Sequence, residues 1–360
     1  MPGDHMKERC LKWLVCPACN SPLEMESRLS EGNETVEGIL RCLDQHIFPI
    51  IHGVPRMLLP PLSDSLLYLY PDFFKRYAEF SATPKTTEND RPCKKQETID
   101  RFGFEWSHFS DYDCDNFATF IDPLPRGFFN GKLGLDVGCG AGRHAKRASD
   151  LGAEVVAFDL SQAVDAAYSN NKGNPNVHII QADIYHLPFR QGTFQFIYSL
   201  GVLHHLPEPE KGYQNLIPLL NKGGTLFIWL YAYAPRKIAL EILRFVAQRL
   251  SNQNIRRAAY FCNLIDFGIF VNLYRLLLRL PGVGKCVAKC VPPRIKEYSE
   301  HGFKVAYTDW FDRLSAPITN YYKKSEVQGW LNRSNLCNTR LLPVSDSWWW
   351  LQGERDTARR

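Results

Sequence analysis

The chain has 360 residues, of which 45% are hydrophobic, so it is long enough to bury one large core with smaller satellite units. Its eleven cysteines argue against a secreted disulfide scaffold, because the chain is long, the number is odd and residues 2–9 are polar, with no apolar signal segment. A net charge of +5 is too modest to indicate a nucleic-acid partner by itself. We therefore expect a cytoplasmic protein in a reducing compartment.

The first pattern along the chain is a pair of cysteine knuckles within residues 1–60. Cys16 and Cys19 form a C-x2-C pair, and Cys42 is followed four positions later by His46. Three thiolates and one imidazole suit a tetrahedral Zn²⁺, and a metal can hold together a β-rich unit that is too small to fold on its core alone. We predict a zinc site at Cys16, Cys19, Cys42 and His46; the alternative is a degenerate ribbon that has lost its metal.

The residues around these knuckles carry a resemblance to a known family. Segments 16–23 and 47–58 resemble the small zinc ribbons that activate tRNA methyltransferases, and ribosomal-RNA guanine-N1 methyltransferases have a similar Cys-Cys-Cys-His set. The chain departs from the four-cysteine form at Gln45, where a fourth cysteine would stand. The resemblance implies a zinc-ribbon domain over residues 1–60.

Residues 61–130 are predicted to connect this unit to the rest of the chain. Segment 82–95 is polar and contains two prolines, which predicts an exposed linker. Segment 97–106 is richer in aromatic residues and includes Arg101, Phe104 and Trp106. These three side chains are candidates either for a ligand contact or for packing on the core.

A glycine-rich turn follows the apolar run at 133–137. Asp136 precedes Gly138, Gly140 and Gly142, and a predicted helix begins there. Glycines let the backbone approach a ligand closely, and the start of a helix offers unpaired N–H groups. Taken alone, this pattern also fits a dinucleotide site.

Four further strands come next in the chain, and the first three are followed by an acid or by histidines. Asp159 ends the apolar run at 154–158, and Asp183 ends the run at 177–182. His204 and His205 follow a fourth strand at 193–199, and Gly223-Gly224 precede a fifth at 225–230. An acid at the end of the second strand can bind both ribose hydroxyls of an adenosine.

This series resembles the class I S-adenosylmethionine-dependent methyltransferases over residues 131–231. Arg143 stands where a nicotinamide-binding fingerprint would have its third glycine. The resemblance implies an α/β, Rossmann-like domain over residues 131–360, with a seven-stranded, mostly parallel sheet and S-adenosylmethionine as cofactor. The cofactor-binding residues that it implies are Asp136, Gly138, Cys139, Gly140, Asp159, Leu160, Asp183, Ile184, Leu200 and, on a leader helix, Arg101.

The end of the chain is predicted to complete that sheet, and an insertion at 232–324 precedes it. Ser325 and Gln328 fit a capping box that opens a helix to about residue 334, and strands follow at 338–344 and 348–353. The insertion has apolar residues at helical spacing, and segment 234–296 carries twelve Lys and Arg against two acids. We expect amphipathic helices with basic polar faces that roof the substrate pocket, and a partner that is anionic, apolar or both.

No convincing transmembrane helix is predicted. The best stretch, 258–278, carries Asp266 and Arg275, and a charge at the middle of a bilayer is costly. An amphipathic or lid-forming role fits this stretch better, with contact at the inner face of the membrane as one outcome.

The acceptor side of the reaction is the least specified. His204 and His205 are candidate catalytic bases, because a histidine titrates near neutrality, although such a pair also caps helices or packs. Asp309, Asp312, Tyr321 and Tyr322 are candidate substrate contacts, with packing the commoner role. We expect O-methylation of a small or lipid-linked metabolite. The alternatives are an RNA methyltransferase that binds nucleic acid through the ribbon and insertion, and a non-catalytic binding or scaffold protein.

Overall fold

The computed structural model describes residues 6–32, 34–80, 94–112, 116–233, 238–344 and 347–357. Among them, eleven strands form one mixed sheet in the order β1-β2-β3-β4-β7-β6-β5-β8-β9-β11-β10. The strands are β1 Leu23–Glu31, β2 Glu34–Cys42, β3 Ile47–Ile51, β4 Val54–Met57, β5 Leu133–Val137, β6 Glu154–Asp159, β7 Val177–Ala182, β8 Phe194–Leu200, β9 Leu220–Tyr231, β10 Leu336–Val344 and β11 Trp348–Arg355.

Fifteen α-helices are found in the same ranges. They are α1 Met6–Leu11, α2 Ser65–Leu69, α3 Pro71–Arg76, α4 Lys94–His108, α5 Phe117–Ile121, α6 Arg143–Asp150, α7 Ala163–Asn170, α8 Pro209–Leu216, α9 Ile238–Ala247, α10 Asn252–Ile265, α11 Asn272–Leu278, α12 Val283–Cys290, α13 Pro293–His301, α14 Phe303–Ser315 and α15 Lys324–Arg333. A π-helical stretch, Asp266–Val271, joins α10 to α11.

The predicted Rossmann-like sheet is confirmed and is larger than predicted. Strands β7, β6, β5, β8 and β9 run parallel, β11 pairs antiparallel with β9, and β10 pairs antiparallel with β11, which gives the expected seven. The other four strands come from the N-terminal unit, because β4 pairs in parallel with β7. The N-terminal unit therefore extends the sheet instead of standing apart from it.

The N-terminal unit and the sheet also share one hydrophobic core. Leu14, Phe48 and Met57 belong to the same buried cluster as Val137 and Ile180. The Arg56 side chain is fully buried and ties β4 to the sheet and its helices, because it donates to the Gln181 side chain, the Ile51 carbonyl and the Asp165 carboxylate.

The C-terminal helix and hairpin lie close to their predicted positions. The helix begins at Lys324, because Glu326 Oε2 accepts a hydrogen bond from the Lys323 backbone N–H at 2.7 Å. The predicted Ser325 cap is therefore wrong: Ser325 lies inside the first turn, and Glu326, not Gln328, closes it. Strands β10 and β11 form the predicted hairpin.

The insertion is helical, as predicted, but it exposes large apolar side chains and buries some polar ones. Arg244, Asn263 and Asp266 are buried, whereas Phe245, Phe261 and Ile269 are more than half exposed. The predicted basic polar face is therefore only part of the exposed surface here, because apolar side chains lie beside the exposed Arg249 and Arg257. Arg236 and Lys237, which were counted among the basic residues, lie outside the described residues, as does most of the linker at 82–95.

Candidate functional site

A cavity of about 640 Å³ lies at the carboxyl edge of β5, β6, β7 and β8. In open α/β sheets, ligands bind at this edge, because the loops that leave the parallel strands converge there. One end of the cavity is lined by the glycine-rich turn after β5 and by residues at the ends of β6 and β7. Helices α4, α13 and α14 contribute to the other walls.

The glycine-rich turn takes a backbone that side chains would strain. Gly138 and Gly140 have φ values of +76° and +52°, in the left-handed region. The Gly140 N–H donates to Asp159 Oδ2 at 3.1 Å, while Ser161 donates to Asp159 Oδ1 through its N–H at 2.9 Å and its hydroxyl at 2.7 Å. Asp159 is thereby fixed at the mouth of the turn, and burial raises its pKa above the usual range.

Asp183 forms the third side of this end of the cavity. Its carboxylate accepts from Lys95 Nζ at 2.7 Å and from the Tyr185 N–H at 3.2 Å, and it contacts His186 Nδ1 at 3.2 Å. Lys95 belongs to α4, so the leader helix is tied directly to the end of β7. Trp106, also on α4, lies beside Gly140, where an added Cβ would stand 3.1 Å from the indole ring.

Most of the cofactor residues implied by the sequence come together here. The predicted residues that line the cavity are Gly138, Cys139, Gly140, Asp159, Leu160, Asp183, Ile184 and Leu200. Asp136 and Arg101 are not among the lining residues. Asp136 is buried next to Tyr198, and burial raises its pKa to about 7. Arg101 faces the insertion, where it donates to the Gln248 and Leu250 carbonyls.

The two candidate catalytic histidines have different surroundings. His205 lines the cavity, and its Nδ1 lies 2.7 Å from the Ile318 carbonyl oxygen. A carbonyl can only accept, so Nδ1 carries the proton and Nε2 keeps its lone pair in the neutral ring. Burial lowers the pKa of His205. His204 is fully buried, with its ring 3.7 Å from the Tyr231 ring between centroids, and does not line the cavity.

The far end of the cavity holds charged side chains, of which Asp309 and Asp312 were predicted as candidate substrate contacts and the others were not. Glu105, Asp309 and Asp312 line it together with Arg244 and Arg313. Burial and the two neighbouring carboxylates raise the pKa of Glu105 well above its usual range. The available signal was the pair Asp309 and Asp312, three positions apart on one helix face. Nothing in the sequence around Glu105 marked it.

The comparisons with known proteins agree with this geometry. Residues 135–228 match the family model described as a methyltransferase domain. The chain contains a methyltransferase domain. The predicted methyltransferase domain is thereby confirmed.

Relatives of the methyltransferase domain carry names with different acceptors. The chain is 35% identical over 130 residues to a tRNA U34 carboxymethyltransferase from Psychromonas ingrahamii, which is 34% of this chain and 37% of that protein. It is 30% identical over 123 residues to one from Campylobacter curvus, 33% of this chain and 41% of that protein. It is 27% identical over 146 residues to sterol 24-C-methyltransferase erg6 from Schizosaccharomyces pombe, 36% of this chain and 38% of that protein. The chain thus spans well under half the length of these relatives.

The predicted zinc ligands lie together on the sheet extension of the methyltransferase domain. The ligand atoms of Cys16, Cys19, Cys42 and His46 all lie within 4.8 Å of one another. Cys19 Sγ is 3.7 Å from Cys42 Sγ, and Cys42 Sγ is 3.3 Å from His46 Nδ1. Zn–S bonds of about 2.3 Å in a tetrahedron place sulfurs about 3.8 Å apart, so this donor set fits Zn²⁺.

Proposed function

We propose that the protein is an S-adenosylmethionine-dependent methyltransferase whose acceptor enters the cavity from the side of α13 and α14. The observation that carries this proposal is the single cavity that joins the Gly140–Asp159 turn to His205. The cofactor supplies an electrophilic methyl group on a sulfonium. Gly138, Gly140, Asp159 and Asp183 fit the task of holding it, because they offer a close backbone approach and carboxylates for hydroxyl or amino groups.

The residues at the far end of the cavity fit the task of orienting the acceptor and holding its proton. Neutral His205 presents Nε2 as a proton acceptor for a hydroxyl or amine that has been brought into line with the methyl group. The carboxyls of the buried Glu105 and the half-buried Asp312 and the guanidinium of Arg244 provide hydrogen-bonding partners for a polar acceptor.

Calorimetric titration with S-adenosylmethionine tests the cofactor assignment. Asp159→Asn should weaken binding by about tenfold or more, because a charged hydrogen-bond acceptor becomes a neutral amide with a single acceptor oxygen. Asp150→Asn, at the exposed end of α6, is the matched control and should leave the affinity unchanged. Unaltered affinity in Asp159→Asn, or no binding by the parent protein, would remove the proposal.

RNA is the acceptor class that the relatives favour. Two of the relatives described above are tRNA U34 carboxymethyltransferases, and segment 234–296 of this chain has ten more basic than acidic residues. A target nucleoside would have to leave its stack to reach an enclosed cavity, as bases do in enzymes that act on them. Binding of tRNA that falls steeply between low and moderate salt, together with methyl transfer to it, would support this acceptor.

A small or lipid-linked metabolite is the second candidate. It is favoured by the cover of α13 and α14 over the cavity and by the exposed apolar side chains of the insertion. Radiolabelled S-adenosylmethionine incubated with total RNA and, separately, with a lipid extract distinguishes the two candidates. Label recovered in nuclease-sensitive material supports RNA, and label recovered in the organic phase supports the lipid-linked class.

A further inference from the structure

The exposed apolar side chains of the described residues are concentrated in one part of the chain. Fifteen of the twenty-two large apolar residues that are exposed lie between Ile242 and Leu280. They fall on α9, on the continuous helix Asn252–Leu278 and just beyond each. We call these fifteen side chains the apolar face of the insertion. A patch of this kind on a folded protein marks an interaction site.

The continuous helix is apolar on its exposed side, unlike a helix on the surface of a soluble protein. Its buried residues form a stripe made up of Ile255, Ala259, Asn263, Asp266, Val271 and Tyr274. The step of five from Asp266 to Val271 coincides with the π-helical stretch, which keeps the stripe turned toward the protein. The inward stripe thus combines apolar residues with the polar Asn263 and Asp266, while large apolar side chains also point outward, where a surface helix usually carries polar ones.

The inward polar groups are held by specific partners. Asn263 Nδ2 donates to the Phe303 carbonyl at 3.0 Å, and Asp266 accepts from Arg294 at 3.2 Å and from Trp310 Nε1 at 3.1 Å. By its length and composition, the continuous helix is long and apolar enough to cross a membrane. These bonds fasten one side of it to α13 and α14, so it can lie on a bilayer without crossing it.

Helix α9 likewise exposes large apolar side chains and buries a charged one. Arg244 is buried, and its Nε donates to the Arg313 carbonyl at 3.0 Å. Ile242, Phe245 and Val246 on the other side are each about 60% exposed. Both α9 and α10 pack on α14, so the two helices belong to one layer.

The charges around the apolar face select the occupant. Asp266 is the single acid in segment 242–290, and it is buried, whereas Arg249, Arg257, Arg279 and Lys289 are exposed. A surface that combines outward apolar side chains with exposed cations complements the acyl boundary and anionic headgroups of a lipid bilayer. We propose that the apolar face of the insertion docks on the surface of an anionic membrane.

Flotation with vesicles of phosphatidylglycerol and phosphatidylcholine tests the proposal on the full chain. The parent protein should float with mixed vesicles and float less with pure phosphatidylcholine. Phe261→Ser with Phe270→Ser should lower partitioning by about tenfold or more, because the bilayer no longer buries two aromatic rings that the free protein exposes. Arg257→Gln with Arg279→Gln should lower binding to the mixed vesicles by roughly tenfold and hardly affect binding to the neutral ones.

The matched control is Tyr68→Ser with Leu151→Ser, two exposed apolar residues outside the insertion, which should float like the parent. Circular dichroism establishes that each variant is folded. The proposal would be overturned by the absence of flotation of the folded parent. It would also be overturned by a parent dimer that does not bind vesicles and that Phe261→Ser with Phe270→Ser converts to a monomer, or by binding of RNA, in place of vesicles, through this face. Resistance to carbonate extraction would show a spanning helix and would equally overturn it.

Discussion

At the scale of single residues, burial sets the protonation of the groups in the cavity. Burial lowers the pKa of His205 and raises the pKa values of Glu105 and Asp312. A neutral imidazole whose Nδ1–H is already committed to a carbonyl is ready to accept a proton at Nε2. The nearby carboxyls, with raised pKa values, are suited to donating a hydrogen bond to the acceptor.

The first residue-scale prediction concerns His205. His205→Asn should lower kcat by about a hundredfold or more, because general-base catalysis contributes on that order. The dissociation constant for S-adenosylmethionine, measured by calorimetry, should not change, since the side chain lies at the acceptor end. His52→Asn, an exposed histidine outside the cavity, is the control. An unaltered kcat in His205→Asn would exclude the proposed base.

The pH dependence of the same group gives an independent check. The lowered pKa of His205 means that the rate should stay level from pH 8 down to the ordinary histidine value of about 6.5 and should fall only below it. The unfolded state protonates this histidine first as the pH falls, so its contribution weakens the fold below about pH 6.5. A rate that already declines at pH 7.5 would contradict this order.

The sequence reveals the cofactor end of the cavity better than the acceptor end. Each of its residues lies at the end of a successive strand: Gly138 and Gly140 follow β5, Asp159 ends β6 and Asp183 follows β7. Because parallel strands end at the same edge of the sheet, these residues meet there. Glu105 and Asp312 belong to helices 207 residues apart in the chain, and only tertiary packing brings them to one wall. No local pattern could have paired them.

At the scale of elements, strands were more predictable than the faces of the inserted helices. A helical period identifies an apolar stripe, but it does not say which side of the helix meets the protein. In the insertion, Arg244 and Asp266 determine which side meets the protein. Arg244 donates to the Arg313 carbonyl and Asp266 accepts from Trp310 Nε1, and these bonds hold both side chains inward. The structure places Arg101 outside the cavity lining: its position on a leader helix suggested a cofactor contact, whereas its side chain donates hydrogen bonds to the insertion.

The element-scale prediction is that Arg101 fastens the turn between α9 and α10. Its guanidinium bonds to the Gln248 and Leu250 carbonyls and to the Asn252 side chain, so Arg101→Ala should release this turn. Hydrogen exchange of the backbone amides at 248–255 should become faster, because the free energy of local opening falls when these bonds are no longer there to be broken. The affinity for S-adenosylmethionine should stay the same.

Arg257→Ala, which removes an exposed arginine from α10, serves as the reference for that exchange experiment. The opposite outcome, with cofactor affinity lost and exchange at 248–255 unaltered, would return Arg101 to the cofactor site that the sequence implied.

At the scale of the whole molecule, the N-terminal unit and the methyltransferase domain share one sheet and one core. Strand β4 joins the two through its pairing with β7, and the buried Arg56 side chain adds bonds to Gln181 and Asp165. Their apolar side chains form a common cluster. Sequence reasoning treated residues 1–60 as a separate unit, because two metal knuckles commonly mark one. The parallel pairing of β4 depends on contacts more than 120 residues apart and left no local sign.

This shared core leads to the last prediction, which concerns loss of the metal. Cys42→Ser should abolish zinc binding, measured by elemental analysis, because it removes one of four ligands. The melting temperature of the whole chain should fall in a single transition, since unfolding the ribbon uncovers the β7 edge and the core below it. Cofactor affinity should weaken with it, because Asp183 directly follows β7. Cys337→Ser, an exposed cysteine in β10, should retain both zinc and the parent melting temperature. Two separate transitions, with the upper one and the cofactor affinity untouched by the loss of zinc, would show that the ribbon and the methyltransferase domain fold independently.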